Sequence, residues 1–204
     1  ADGLPIREEI VERHGTAVVT RNSYGARCLN VPDVLFADID HATRPRLRLT
    51  LALLALLLAA ALAAGFGCGR GYGVALALIA VSGSAPLAGG LFRLWQRLAG
   101  GAEALALRRV RRFVSLHPDW GLRVYRTPAG LRLLVTHRPF TPGDAGVEAF
   151  FAATGTDPLY ARMCRNQRCF RARVSAKPWR IGIASHLRPR PGVWPVAPER
   201  LAPR

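Results

Sequence analysis

The sequence predicts an α+β protein: a split β-α-β-β-α-β sheet domain, ferredoxin- or RRM-like in element order, with an inserted two-helix transmembrane hairpin. Three observations predict it. Alternating or continuous apolar runs of strand length stand at 34–40, 121–127, 130–137 and 169–176. Helical periodicity occupies 103–117 and, in two pieces, 144–167. Between the first strand and the first of these helices, residues 49–92 are mostly Leu, Ala and Gly, with Arg70 the one charge.

The elements follow in chain order. The opening "ADGLPIREEIVERHG" is charged and has no apolar core, so no secretory signal is expected in it. "VLFADID" (34–40) reads as the first core strand. Leu49–Gly69 carries no charge and is long enough for a bilayer, which needs roughly 20 apolar residues. Gly71–Phe92 is again uncharged, though "SGSAPLAGG" makes it a span that must pack against its partner. A helix apolar all round, in a chain this short, has too little protein to cover it, which favours a membrane over a buried hairpin.

Arg44, Arg46 and Arg48 precede the first span, and Arg93, Arg97 and "RRVRR" (108–112) follow the second. The positive-inside rule then puts both ends, and with them the α+β domain, on the cytoplasmic side of the inner membrane. The lipid bilayer is one expected partner, and anionic lipid head groups at the basic flanks are another.

Beyond the hairpin, "EALALRRVRRFVSLH" is a basic helix with Leu105, Leu107, Val110, Phe113 and Val114 on its apolar side. "GLRVYRT" and "GLRLLVTH" are strands joined by the turn "PAG". "DAGVEAFFAATG" is a helix ending in glycine; "DPLYARMCRNQ" is a second, opened by Asp157 as cap and Pro158 in its first turn. "CFRARVSA" is the last strand, and "KPWRIGI" is a candidate extension of the sheet. The chain thus divides into an N-terminal segment with the first core strand (1–46), the hairpin (47–98), the rest of the core (99–188) and a proline-rich tail (189–204).

Composition bounds the function. With 29 Lys and Arg against 13 Asp and Glu, the formal charge is +16 and the isoelectric point near 11.5. That is extreme for a soluble metabolic enzyme and favours a polyanionic neighbour, nucleic acid or an anionic membrane face. Cys28, Cys68, Cys164 and Cys169 form no CxxC pair and meet no histidine at finger-like spacing, so they read as reduced thiols rather than zinc ligands. There is no G-x-S-x-G and no phosphate-binding G-x-x-x-x-G-K loop.

Period-2 counting puts Phe36, Asp38 and Asp40 on one face of the first strand and Leu35, Ala37 and Ile39 on the other. Arg123 and Tyr125, then Arg132, Leu134 and Thr136, then Arg171, Arg173 and Ser175 fall on the same open side. Leu122, Val124, Leu131, Leu133, Val135, Phe170, Ala172 and Val174 point inward. Two carboxylates at i and i+2 supply hard oxygen ligands for Mg²⁺ or Mn²⁺, while arginines clamp phosphate and an aromatic ring stacks a base. The plainer alternative is an ion-pair network in which Asp38 and Asp40 meet Arg132, Arg171 or Arg173.

At these residues the chain resembles the archaeo-eukaryotic primase superfamily. "VLFADID" is similar to that family's first motif, hydrophobics followed by Asp-x-Asp; "VYRTPAGLRLL" is similar to its second-motif hairpin; "GTDPLYARMCRNQRCFRARVSAKP" is similar to the segment that follows. The likeness covers roughly 25–41 and 105–183. It implies that Asp38 and Asp40 are metal ligands and catalytic residues, that Tyr125, Arg132, Arg171, Arg173 and Lys177 bind nucleotide or nucleic-acid phosphate, and that the reaction is nucleotidyl transfer. Arg132 stands where the family carries a histidine, and Ser175 or Ala176 where it carries a third carboxylate. The inserted hairpin resembles that of uncharacterised bacterial membrane-tethered members. The other expectation is a catalytically inactive membrane-bound structural or sensing module.

Overall fold

The structure, a computed structural model, describes residues 8–184. Within them are seven strands and five α-helices: β1 (Glu9–His14), β2 (Ala17–Arg21), β3 (Arg27–Val31), β4 (Phe36–Asp40), α1 (Leu47–Cys68), α2 (Arg70–Leu98), α3 (Gly101–Leu116), β5 (Leu122–Thr127), β6 (Gly130–Val135), α4 (Ala145–Thr154), α5 (Pro158–Gln167) and β7 (Phe170–Arg173). The described residues form two compact units, one from 8–40 and 109–184, the other from 41–108.

The first unit is α+β and holds two antiparallel sheets. One has the order β4-β6-β5, with Asp38 opposite Arg132 and Arg132 opposite Tyr125. Its inward side chains, Leu35, Ala37, Ile39, Leu131, Leu133 and Val135, are all buried, as alternation requires. They share the core with Val110, Val147, Phe150 and Phe151, and the rings of Phe113 from α3 and Phe150 from α4 meet edge-on at 5.1 Å. Gly130 is set by close approach: a Cβ there would lie 1.8 Å from the Ile39 carbonyl oxygen.

The second sheet has the order β1-β2-β3-β7. Its first three strands lie in the N-terminal segment, where the sequence reading placed only the strand at 34–40. Their signals are short: a turn at Gly15, which has φ +58°, and an Asn22 side chain whose Oδ1 accepts from the amides of Tyr24 and Ala26 at 3.3 and 2.9 Å. Val19, Val31, Phe170 and Ala172 are buried, while the opposite face carries Thr20, Cys28, Asn30, Arg171 and Arg173.

The fourth expected core strand, β7, therefore pairs with β3 and not with β4. The free edge of β4 is taken by the start of α5: the Asp157 amide donates to the Asp38 carbonyl at 2.9 Å, and the Tyr160 hydroxyl donates to the Phe36 carbonyl at 3.1 Å. Two inward assignments also change. Val124 is exposed because β5 is an edge strand, and Val174 is exposed because β7 ends at Arg173. "KPWRIGI" adds no strand: Pro178–Arg180 is a short 3₁₀ turn, as proline at its first position favours.

The second unit is the hairpin. α1 and α2 are joined at Gly69 alone, at φ +111°. Small side chains, Ala61, Ala80, Ser84 and Ala88, lie inside, and Gly73 packs so closely that an added Cβ would meet Gly65 Cα at 2.7 Å. Leu56, Leu62, Phe66, Val74, Leu78 and Ile79 point outward and are exposed. Both helices are long and apolar enough to cross a membrane.

Candidate functional site

The alternation of β4 turns Asp38 and Asp40 to the polar side, and the register of its partners decides what they meet. Asp38 is directly across from Arg132 on β6, and the two form a fork: Nε to Oδ1 at 2.7 Å and Nη2 to Oδ2 at 2.9 Å. The pair is mostly sheltered, with 15% and 27% of the side chains exposed. Burial alone would lower the pKa of the Arg132 guanidinium, but its hydrogen bond and charge interaction with Asp38 raise it above the ordinary value. Asp40 stands opposite Gly130 and is exposed.

Arg132 reaches further. Its Nη1 donates to the Arg173 carbonyl on β7 at 2.7 Å. The Tyr160 hydroxyl, besides capping Phe36, accepts from the Arg171 amide at 3.4 Å. β4 and β7 are thus bridged by two side chains in place of a backbone ladder. Burial pushes the Tyr160 hydroxyl well above its ordinary pKa, so it acts here as a neutral donor.

The other sequence-predicted residues are distributed as follows. Tyr125 neighbours Arg132 across the sheet and is 46% exposed. Arg171 is engaged elsewhere: its Nη2 meets Glu8 Oε2 at 2.5 Å, and the same Glu8 oxygen accepts from Thr20 Oγ1 at 2.6 Å. Burial disfavours the Arg171 charge, yet Cys28 and Glu8 beside it raise its pKa overall. Arg173 Nη1 donates to Tyr24 Oη at 3.1 Å. Lys177 Nζ lies 5.4 Å from the centroid of the Trp179 ring. Of the predicted arginines, then, Arg132 meets an aspartate, while Arg171 and Arg173 are held by the N-terminal sheet.

Asp38 and Asp40 are the carboxylates that could hold a metal, and both Asp38 oxygens accept from Arg132. No group of three His, Cys, Asp or Glu side chains is placed to hold an ion among the described residues, and Ser175, which with Ala176 stands where the resemblance implies a third carboxylate, accepts from the Arg27 amide at 2.8 Å. Sequence reasoning missed Glu8, Tyr24, Thr20 and Tyr160. Thr20 lies on β2, Glu8 just before β1 and Tyr24 in the turn from β2 to β3, all in a sheet it did not assign, and Tyr160 carried no signal beyond its place in a helix. The chain matches no family model, no curated protein and no solved structure.

Proposed function

We propose that the chain is a membrane-tethered, primase-like domain that binds the phosphates of a nucleotide or nucleic acid together with Mg²⁺ or Mn²⁺. The observation that carries the reading is the row Tyr125–Arg132–Asp38 across β5, β6 and β4, with Asp40 exposed on the same side of β4. An aromatic ring, a guanidinium fork and two carboxylates are the side chains that a metal-bound polyphosphate and its base require. Arg132 holds Asp38 as a counter-cation; an incoming metal–phosphate complex offers Asp38 a metal and Arg132 a phosphate, so both charges stay paired through the exchange.

The split β-α-β-β-α-β arrangement belongs to the same proposal. What supports it is the order β4-β6-β5, which matches three of its strands, and two side-chain contacts to β7, Arg132 Nη1 to the Arg173 carbonyl and the Arg171 amide to the Tyr160 hydroxyl. The hairpin would anchor this domain in the inner membrane with both flanks cytoplasmic. A second reading, binding without nucleotidyl transfer in a structural or sensing module, is favoured because no third His, Cys, Asp or Glu among the described residues groups with Asp38 and Asp40 to hold an ion.

Calorimetry on the full chain in detergent, with a nucleoside triphosphate and Mn²⁺, is expected to show metal-dependent binding. Asp38→Asn with Asp40→Asn should weaken it at least tenfold, which corresponds to about 1.4 kcal/mol. Metal-dependent binding that survives the double substitution unchanged rules the proposal out. Transfer of labelled nucleotide onto a primer or template separates the two readings.

A further inference from the structure

The geometry of the hairpin points to a second phosphate surface, an arginine collar that selects anionic phospholipid head groups; this rests on reading α1 and α2 as membrane spans. Arg44, Arg46 and Arg48 lie at the start of α1 and Arg93 and Arg97 at the end of α2, so in an antiparallel pair joined at Gly69 all five sit at one end. The two flanks are held together there: Gln96 Nε2 donates to the Ala42 carbonyl at 2.8 Å. All five arginines are exposed, and no ion pair engages them among the described residues. The other end of the hairpin carries Arg70 alone.

Charge and depth agree. Trp95 lies between Arg93 and Arg97, is 52% exposed, and has Phe92 beside it at a centroid distance of 6.0 Å. An amphipathic ring at the level of the basic residues is what a head-group boundary favours, with the exposed leucines of both helices beyond it. Guanidinium forks prefer phosphate over choline, and five of them without acidic partners attract lipids of net negative charge more than zwitterionic ones. Nucleic acid offers the same phosphate chemistry, but the collar adjoins the apolar surface of the hairpin, where lipid phosphate is already concentrated.

The test uses the full chain in phosphatidylcholine bilayers with spin-labelled phosphatidylglycerol or phosphatidylcholine as probe. Motionally restricted phosphatidylglycerol is expected to exceed phosphatidylcholine several-fold, to fall toward equality in high salt, and to fall likewise when the five arginines become glutamine. The five Arg→Lys substitutions should keep most of the preference. Equal restriction of both lipids by the unmodified chain overturns the collar and leaves the spans standing. No restricted component with either lipid instead removes the membrane reading itself. If the Gln variant keeps its lipid preference but loses binding to single-stranded nucleic acid, the collar belongs to nucleic acid and the proposal fails.

Discussion

The hairpin and the α+β unit are both rich in apolar residues, yet they sort them by size in opposite senses. In the α+β unit the large side chains go inside: Phe150, Phe170, Leu35, Ile39, Leu131 and Leu133 are the largest fully buried ones. In the hairpin the small ones go inside and Leu56, Leu62, Phe66 and Leu78 face out. Water drives the first arrangement, because removing apolar area from it is favourable by roughly 25 cal/mol per Å². Between two helices in lipid there is no such drive, and close backbone packing through glycine and alanine takes its place. On the membrane reading of the hairpin, the difference follows from what surrounds each unit, and single substitutions can break it.

The largest effect is expected at Gly130. A valine there would place its Cβ 1.8 Å from the Ile39 carbonyl oxygen, and that atom belongs to the paired strand and cannot yield. Gly130→Val should cost about 4 kcal/mol or more and remove the β4–β6 pairing, with Asp38 and Arg132 no longer opposed. Circular dichroism melts on the full chain check it; a Tm within a few degrees of the unmodified chain would contradict the register.

Next comes the matched pair Phe150→Ala and Leu62→Ala. Phe150 is fully buried among Phe113, Trp120 and Phe151, so its truncation leaves a cavity and should cost about 3–5 kcal/mol. Leu62 is 66% exposed on α1, and the same truncation there should change denaturation in detergent by about 0.5 kcal/mol or less. Equal losses at the two positions would mean that the outer face of α1 is covered by protein, against the membrane reading.

The reverse substitution probes the reverse packing. Gly73→Leu adds a side chain whose Cβ alone would lie 2.7 Å from Gly65 Cα, so α1 and α2 must separate. A loss of about 1–3 kcal/mol is expected, the usual cost of overpacking. A disulfide or fluorescence reporter across the two helices should register the separation, whereas an unchanged spacing would refute the contact.

Legibility in the sequence follows the same division. The hairpin was plain, because uncharged length is a strong signal, and its element bounds agree with the reading to within a few residues. Strands β4, β5, β6 and β7 and helices α3, α4 and α5 were legible from period and caps, Asp157 and Pro158 opening α5 with Asp157 Oδ1 accepting the Leu159 amide at 3.1 Å. Strands β1–β3 were not, since "EIVERH" and "ARCLNV" alternate poorly and their burial depends on a neighbour, β7, more than a hundred residues away. At the site, alternation put Asp38, Asp40, Arg132 and Tyr125 on one side of their sheet. It gave no access to Glu8 on Arg171 or Tyr160 at the edge of β4, because the first contact needs a sheet assembled from distant segments and the second a helix docked on a strand edge, neither of which is spacing within one strand.

The finest version of the comparison uses one residue type in two places. Cys68 is exposed at the end of α1, whereas Cys164 is buried in α5 beside Tyr160. Burial pushes the Cys164 thiol from an ordinary value near 9.0 up to about 12. At pH 8, in detergent, iodoacetamide should therefore modify Cys68 and leave Cys164 intact until the chain unfolds, since the thiolate is the reactive form. The sign for stability follows from the same shift. Below pH 9 the thiol is protonated in both folded and unfolded chain, and its contribution is fully present. Between 9 and 12 the unfolded chain releases the proton while the folded one keeps it, so stability falls as pH rises. Cys164→Ala should flatten that part of the decline relative to the unmodified chain, leaving the share due to Tyr160, whose pKa is also raised. If both chains lose Tm equally from pH 9 to 12, or if Cys164 is alkylated as fast as Cys68 at pH 8, α5 does not close over the core as described.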